Sequence, residues 1–195
     1  MRKSDSEITN KVIVSAIQIF QKKGYKRTTV KEIADSSGVS NKQIKRLFNT
    51  KSGLFQKVFE SEKQKVRKKL TALFDNSDKQ NKQSVKNSLN EVFNIIRKNR
   101  FFIMVYEFED FPVWNCVKDR KDNNEDPFEG HYSLLCDFII DCQKTEIIRM
   151  ENPIILTHIL RIIFHMILRE KTMFSNLRIS EKTIINIFID GLIAN

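Results

Sequence analysis

Thr29-Val30-Lys31-Glu32-Ile33-Ala34-Asp35-Ser36-Ser37-Gly38-Val39-Ser40-Asn41-Lys42-Gln43-Ile44-Lys45-Arg46-Leu47-Phe48 is the stretch that decides the fold. Thr29-x-x-Glu32 and Ser40-x-x-Gln43 each have the pattern of a capping box. In that motif the hydroxyl accepts an orphan backbone N–H while the longer side chain reaches back to the cap. Two such starts, Thr29 and Ser40, leave room for one short helix, a tight turn and a second helix. Gly38 falls in the turn, where a left-handed backbone would strain any residue with a Cβ. Ala34 lies one helical turn earlier, where two steeply crossing helices need a small side chain. Ile33, Val39, Ile44 and Leu47 supply the apolar contacts of the pair, and Phe48 extends them to a preceding helix. The spacing predicts a helix-turn-helix over 29–48.

With those residues inward, Asn41, Lys42, Gln43, Lys45 and Arg46 point outward. Asn and Gln can bond adenine bidentately, and Arg or Lys can reach guanine O6 and N7. A recognition helix enters the major groove N-terminus first, so this face has the chemistry of a base reader. A solvated helical hairpin would share the outward polarity but has no need of two capping boxes, Ala34 and Gly38 together.

Charge agrees with that reading. Residues Met1 to Lys51 hold twelve basic and four acidic side chains, so +8 of the formal +10 lies in the first quarter of a 195-residue chain. One strongly basic end is expected of a protein that docks on a polyanion. Elsewhere the apolar spacing is helical: Ile8, Val12, Ala16, Ile17 and Phe20 before Gly24; Leu54 to Phe74; Val85 to Ile96; then parts of 101–118, 128–143, 152–174 and 180–194. Hairpin signals such as Asn-Gly do not occur between alternating runs. The expected fold class is all-α with about nine helices: an N-terminal three-helix DNA-binding domain over 1–51 and a C-terminal helical domain over 52–195.

Several classes are excluded. No run approaches the roughly 18–20 apolar residues of a membrane span, and the polar N-terminus lacks a signal-peptide core. Cys116, Cys136 and Cys142 contain no Cys-x-x-Cys pair, so reduced thiols and a cytoplasmic location are expected. Nucleophile elbows, phosphate-binding glycine loops and His-Glu-x-x-His are absent, which speaks against an enzyme. No cofactor or metal is expected. His158 and His165 share a helix face, but no third ligand is evident.

Ile17-Gln18-Ile19-Phe20, Gly24-Tyr25, Thr28-Thr29-Val30, Ile33-Ala34, Gly38-Val39-Ser40 and Phe48-x-x-Lys51-x-x-Leu54-Phe55 resemble the N-terminal domain of TetR-family transcriptional regulators, from about Ile8 to Phe59. The resemblance implies a homodimer that binds a palindromic operator in double-stranded DNA, and a C-terminal domain that binds a small effector and dimerises. It also implies phosphate contacts from Thr28, Thr29 and Lys51 and base contacts from Asn41, Lys42 and Gln43. The full candidate set is Thr28, Thr29, Ser40, Asn41, Lys42, Gln43, Lys45, Arg46 and Lys51. Lys45 departs from the family's usual Tyr, Leu47 from a frequent aromatic or His, and Gly53 from a commonly acidic residue.

In the C-terminal part, aromatic residues crowd between Phe101 and Phe138. Most must be core. A pocket for a lipophilic ligand, cationic where Glu107 takes part, would draw on Phe102, Tyr106, Glu107, Trp114, His131, Tyr132 and Phe138. The segments 152–174 and 180–194 are apolar nearly all round, which points to a two-fold interface built as a four-helix bundle. A helical ligand-binding or protein-interaction module without DNA binding is the alternative function.

Overall fold

The computed structural model describes residues 5–107, 129–169 and 180–194. Among the described residues it is all-α, with nine helices: α1 (Asp5–Arg27), α2 (Val30–Ser37), α3 (Asn41–Phe48), α4 (Lys51–Asp75), α5 (Lys82–Lys98), α6 (Arg100–Glu107), α7 (Glu129–Lys144), α8 (Pro153–Arg169) and α9 (Glu181–Leu192). The one β feature among them is an isolated antiparallel bridge between Ile148 and Ile193. Two compact units form, Met1–Gln64 with Arg100–Asn124, and Lys65–Asn99 with Glu125–Asn195.

In the first unit, Val12, Ala16 and Phe20 of α1, Ile33 and Ala34 of α2, and Ile44 and Phe48 of α3 are buried. Leu54, Phe55, Val58 and Phe59 of α4 join them. These positions recur at three- and four-residue steps, so each helix turns one stripe inward. Aromatic rings tie the layers. Phe20 meets Phe55 edge-on at 5.0 Å, Tyr25 meets Phe55 at 5.2 Å, and Phe55 lies 5.3 Å from Phe101 of α6. Gly24 interrupts α1 with φ 73° and ψ 167°, a conformation open essentially to glycine alone. The helix therefore stops after Lys23 and resumes as a single turn.

The second unit packs Val66, Leu70 and Phe74 of α4, Val85, Leu89, Val92 and Phe93 of α5, and Leu135, Phe138, Ile139 and Cys142 of α7. Leu156, Leu160, Phe164 and Ile167 give α8 one buried face, and Ile185, Ile189 and Leu192 do the same for α9. Phe74 stacks on Phe138 at 4.4 Å. Ion pairs Lys86–Asp190 (2.8 Å) and Arg97–Glu181 (3.0 Å) run between α5 and α9. The loop after α7 is held by Gln143, whose Nε2 donates to the Arg149 and Glu151 carbonyls at 2.7 Å each.

A second apolar face of α8 stays bare in the single chain. Ile155, Ile159, Ile162 and Met166 follow a helical stripe and are exposed, Ile162 by 62%. Ile187 of α9 is 69% exposed. The all-round apolar pattern of these segments thus resolves into one face used within the unit and one left over.

Candidate nucleic-acid interface

Both capping boxes form. Thr29 Oγ1 accepts from the Glu32 N–H at 3.2 Å, and the Thr29 N–H donates to Glu32 Oε2 at 2.9 Å. Ser40 Oγ accepts from the Gln43 N–H at 3.3 Å, and the Ser40 N–H donates to Gln43 Oε1 at 3.3 Å. Gly38 closes α2 in the left-handed region (φ 65°, ψ 26°), with the Val39 N–H returning to the Ala34 carbonyl at 3.2 Å. These local devices fix where α3 begins and therefore which residues its first turn presents.

On α3, Ile44 and Phe48 are buried and Leu47 half-buried, while Asn41, Lys42, Gln43, Lys45 and Arg46 are all exposed. Thr29 and Ser40 are exposed beside them. Ser40 and the outward residues of α3 thus form one continuous exposed stretch, and Thr29 is exposed at the start of α2. Thr28 differs from its neighbour: it is 1% exposed, and its hydroxyl donates to the Gly24 carbonyl at 2.7 Å. Its side chain closes the turn between α1 and α2.

Lys51 is also engaged internally. Its Nζ donates to the carbonyls of Tyr25 (3.1 Å) and Thr28 (3.0 Å) and sits 4.3 Å from the Tyr25 ring centroid. An ammonium has three donors, so this clamp uses two. Burial holds the Lys51 pKa below the ordinary lysine value. Sequence reasoning missed this clamp because its acceptors are backbone carbonyls more than twenty residues upstream. It also missed the ion pair between Lys23 and Glu32, which carries no short-range signal. That pair, followed by the Thr29 N–H and hydroxyl, draws the Glu32 carboxyl down to about 2.

Gly53 gains a reason. Its N–H donates to Thr50 Oγ1 at 2.9 Å, so Thr50 caps α4 without an acidic partner at position 53. A Cβ there would lie 2.3 Å from the Phe48 carbonyl oxygen. The close approach between the end of α3 and the start of α4 explains glycine at that place.

The described residues considered for a ligand belong to both units. Phe102 is buried in the first unit, 5.9 Å from Phe59. In the second unit His131 is buried, and Phe138 is core against Phe74, with Lys79 Nζ 5.9 Å from its centroid. Tyr132 is half-buried on α7, its hydroxyl 3.3 Å from His165 Nε2 of α8 and its ring 5.2 Å from Arg161 Cζ. The side chains of Tyr106 and Glu107, and all of Trp114, lie outside the described residues. His158 is exposed while His165 contacts α7. No group of three metal-capable side chains occurs among the described residues, and no helix among them is long and apolar enough to cross a membrane.

Residues 12–58 match the family of bacterial regulatory proteins of the tetR type, the same interval that holds α2, α3 and their caps. Over that stretch the chain is similar to the tetR family of bacterial regulatory proteins. No curated protein matches the chain in sequence. Solved structures similar to it include the fatty acid degradation regulator FadR from Bacillus halodurans, 14% identical, with a TM-score of 0.71 over 97% of this chain and 95% of that one. FadR from Bacillus subtilis in complex with stearoyl-CoA is 12% identical, with a TM-score of 0.68 over 92% and 95%. HlyIIR, a haemolysin II transcriptional regulator, is 18% identical, with a TM-score of 0.58 over 98% and 100%. These similarities carry the likeness in all-α fold from residues 12–58 to nearly the whole chain.

Proposed function

We propose that the chain is a dimeric repressor that reads a palindromic operator with two copies of α3 and is controlled by a small lipophilic ligand in its C-terminal domain, 52–195. The observation that carries the DNA part is the capped α3, whose Asn41, Lys42, Gln43, Lys45 and Arg46 all face out from a domain holding most of the net positive charge. Asn41, Lys42 and Gln43 read bases from the first turn; Thr29, Ser40, Lys45 and Arg46 serve base edges or flanking phosphates. Lys51 has one donor left for a phosphate, and Thr28 supports the turn beneath them.

Dimerisation is supported by the bare stripe Ile155, Ile159, Ile162 and Met166 of α8 with Ile187 of α9. A second copy would cover these residues across a two-fold axis and give both helices a buried second face. The lipophilic ligand class is supported by the fold shared with a FadR that binds stearoyl-CoA. Ligand would favour one of two spacings between the recognition helices, which DNA fixes at one helical turn or a multiple.

The test is selection from a random duplex library with wild type and Gln43→Ala in parallel. A palindrome recovered by wild type, weakened or altered at one symmetric base pair in the variant, is expected. No enrichment at low salt would leave a helical ligand-binding or interaction module. Sedimentation of wild type and Ile162→Glu checks the interface: the substitution should yield monomer, and a monomeric wild type at micromolar concentration would refute the dimer.

A further inference from the structure

Arg46 does not stand alone on the reading face. Asp5, in the first turn of α1, places Oδ1 at 2.6 Å from Arg46 Nη2, although the two residues are far apart in sequence. The side chains are 65% and 60% exposed, so the pair sits in water at the surface that faces DNA in the proposal above. Two effects compete for the guanidinium. An exposed ion pair is weak, held by roughly 0.2–1 kcal/mol, whereas a phosphate or a guanine edge offers a charge-assisted or bidentate contact. A cation that already has a carboxylate on it releases no net counterion charge when it nears the duplex. Arg46 must therefore leave Asp5 to contribute, or bring a negative charge into the field of the phosphates.

We propose that Asp5 competes with DNA for Arg46 and so sets the affinity of the reading face. The inference rests on the DNA-reading proposal. The carboxylate screens Arg46 against indiscriminate phosphate contacts, because non-specific binding is almost wholly electrostatic. A site that offers Arg46 a well-placed partner displaces it. Asp5 is then a specificity-determining residue outside the helix-turn-helix. Its place in the first turn of α1 also suits the helix dipole, so helix stability and competition must be separated in the test.

The experiment is fluorescence anisotropy with a labelled random-sequence duplex across a salt series, using wild type, Asp5→Asn, Arg46→Gln and the double variant. Asp5→Ser, whose hydroxyl still serves a helix start, is the second single substitution, with circular dichroism checking that all retain the fold. Asp5→Asn and Asp5→Ser should bind more tightly at low salt, by about 1.4- to 5-fold. Their salt slope should steepen by about 0.9 per protomer. Both changes should vanish in the Arg46→Gln background. Asp5 variants that superimpose on wild type, or a gain that persists undiminished without Arg46, would overturn this inference and leave the DNA reading intact. Wild type without salt-dependent binding would overturn both.

Discussion

Replacing Gly53 by alanine should destabilise the protein, even though Gly53 lies in the first turn of a helix, where alanine is ordinarily favoured. The gain in helix propensity is at most about 1 kcal/mol. Against it stands the Phe48 carbonyl oxygen, 2.3 Å from where the new Cβ would lie, with Phe48 C at 3.4 Å and Thr50 Oγ1 at 3.5 Å. Ordinary contact begins near about 3.5 Å, so the end of α3 and the start of α4 must part by about 1 Å. The obstacle is backbone and cannot swing aside. Overpacking of this kind costs about 1–3 kcal/mol, leaving a net loss of up to about 2 kcal/mol even after the full gain in propensity. For a chain of this size that lowers the melting temperature by up to about 8 °C. Calorimetry or circular dichroism on Gly53→Ala, Gly191→Ala and Gly38→Ala provides its own controls. Gly191 is helical with nothing within 4 Å of a built Cβ, so alanine should raise the melting temperature slightly. Gly38 also has open space but a φ of +65°, so alanine should lower it through strain of about 1–2 kcal/mol. A Gly53→Ala protein that melts at or above wild type would refute the steric reasoning.

Further expectations concern the ionisable groups. Lys51→Met should lower stability in urea titration by about 1 kcal/mol, the low end for charged hydrogen bonds because Lys51 is half-exposed; unchanged stability with only a shallower salt slope would make it purely a phosphate contact. Glu32 is drawn down to about 2, so folding favours its charged form. Its contribution should be complete above the unfolded value of about 4.3 and fade as pH falls toward 2. The melting difference between wild type and Glu32→Gln should accordingly be flat from pH 7 to about 5 and close in acid; a difference that grows in acid would contradict the assignment. Burial pushes the Cys142 thiol up to about 12, so mass spectrometry after iodoacetamide at pH 8 should find it alkylated only in denaturant. Native labelling at Cys142 would show that the α7 core opens.

What was legible in the sequence was what local chemistry dictates. Thr29, Glu32, Gly38, Ser40 and Gln43 bond to neighbours three or four residues away, so their spacing reveals the helix starts, the turn and hence the face of α3. The bare and buried faces of α8 were legible as excess hydrophobicity, though the sequence could not divide one from the other. Thr28 and Thr29 look equivalent as a pair; only the path of the backbone after Gly24 turns one hydroxyl inward. The internal partners of Lys51 and Asp5 are invisible in the sequence until folding brings Tyr25, Thr28 and Arg46 to them. Aromatic density is shared by core and pocket, so the sequence could not show that Phe102 packs on Phe59 and Phe138 on Phe74.

The reciprocal bond between Ser40 and Gln43 bears on how such a protein changes its target. Gln43 both faces outward and keeps the first turn of α3 closed, so a mutation there alters recognition and helix formation at once. Asn41, Lys42 and Lys45 carry no such second duty in the capping box. Libraries meant to redirect binding to a new sequence should vary those three freely and hold position 43 to Gln or Glu. Drift toward new targets is expected to follow the same path, with position 43 changing late.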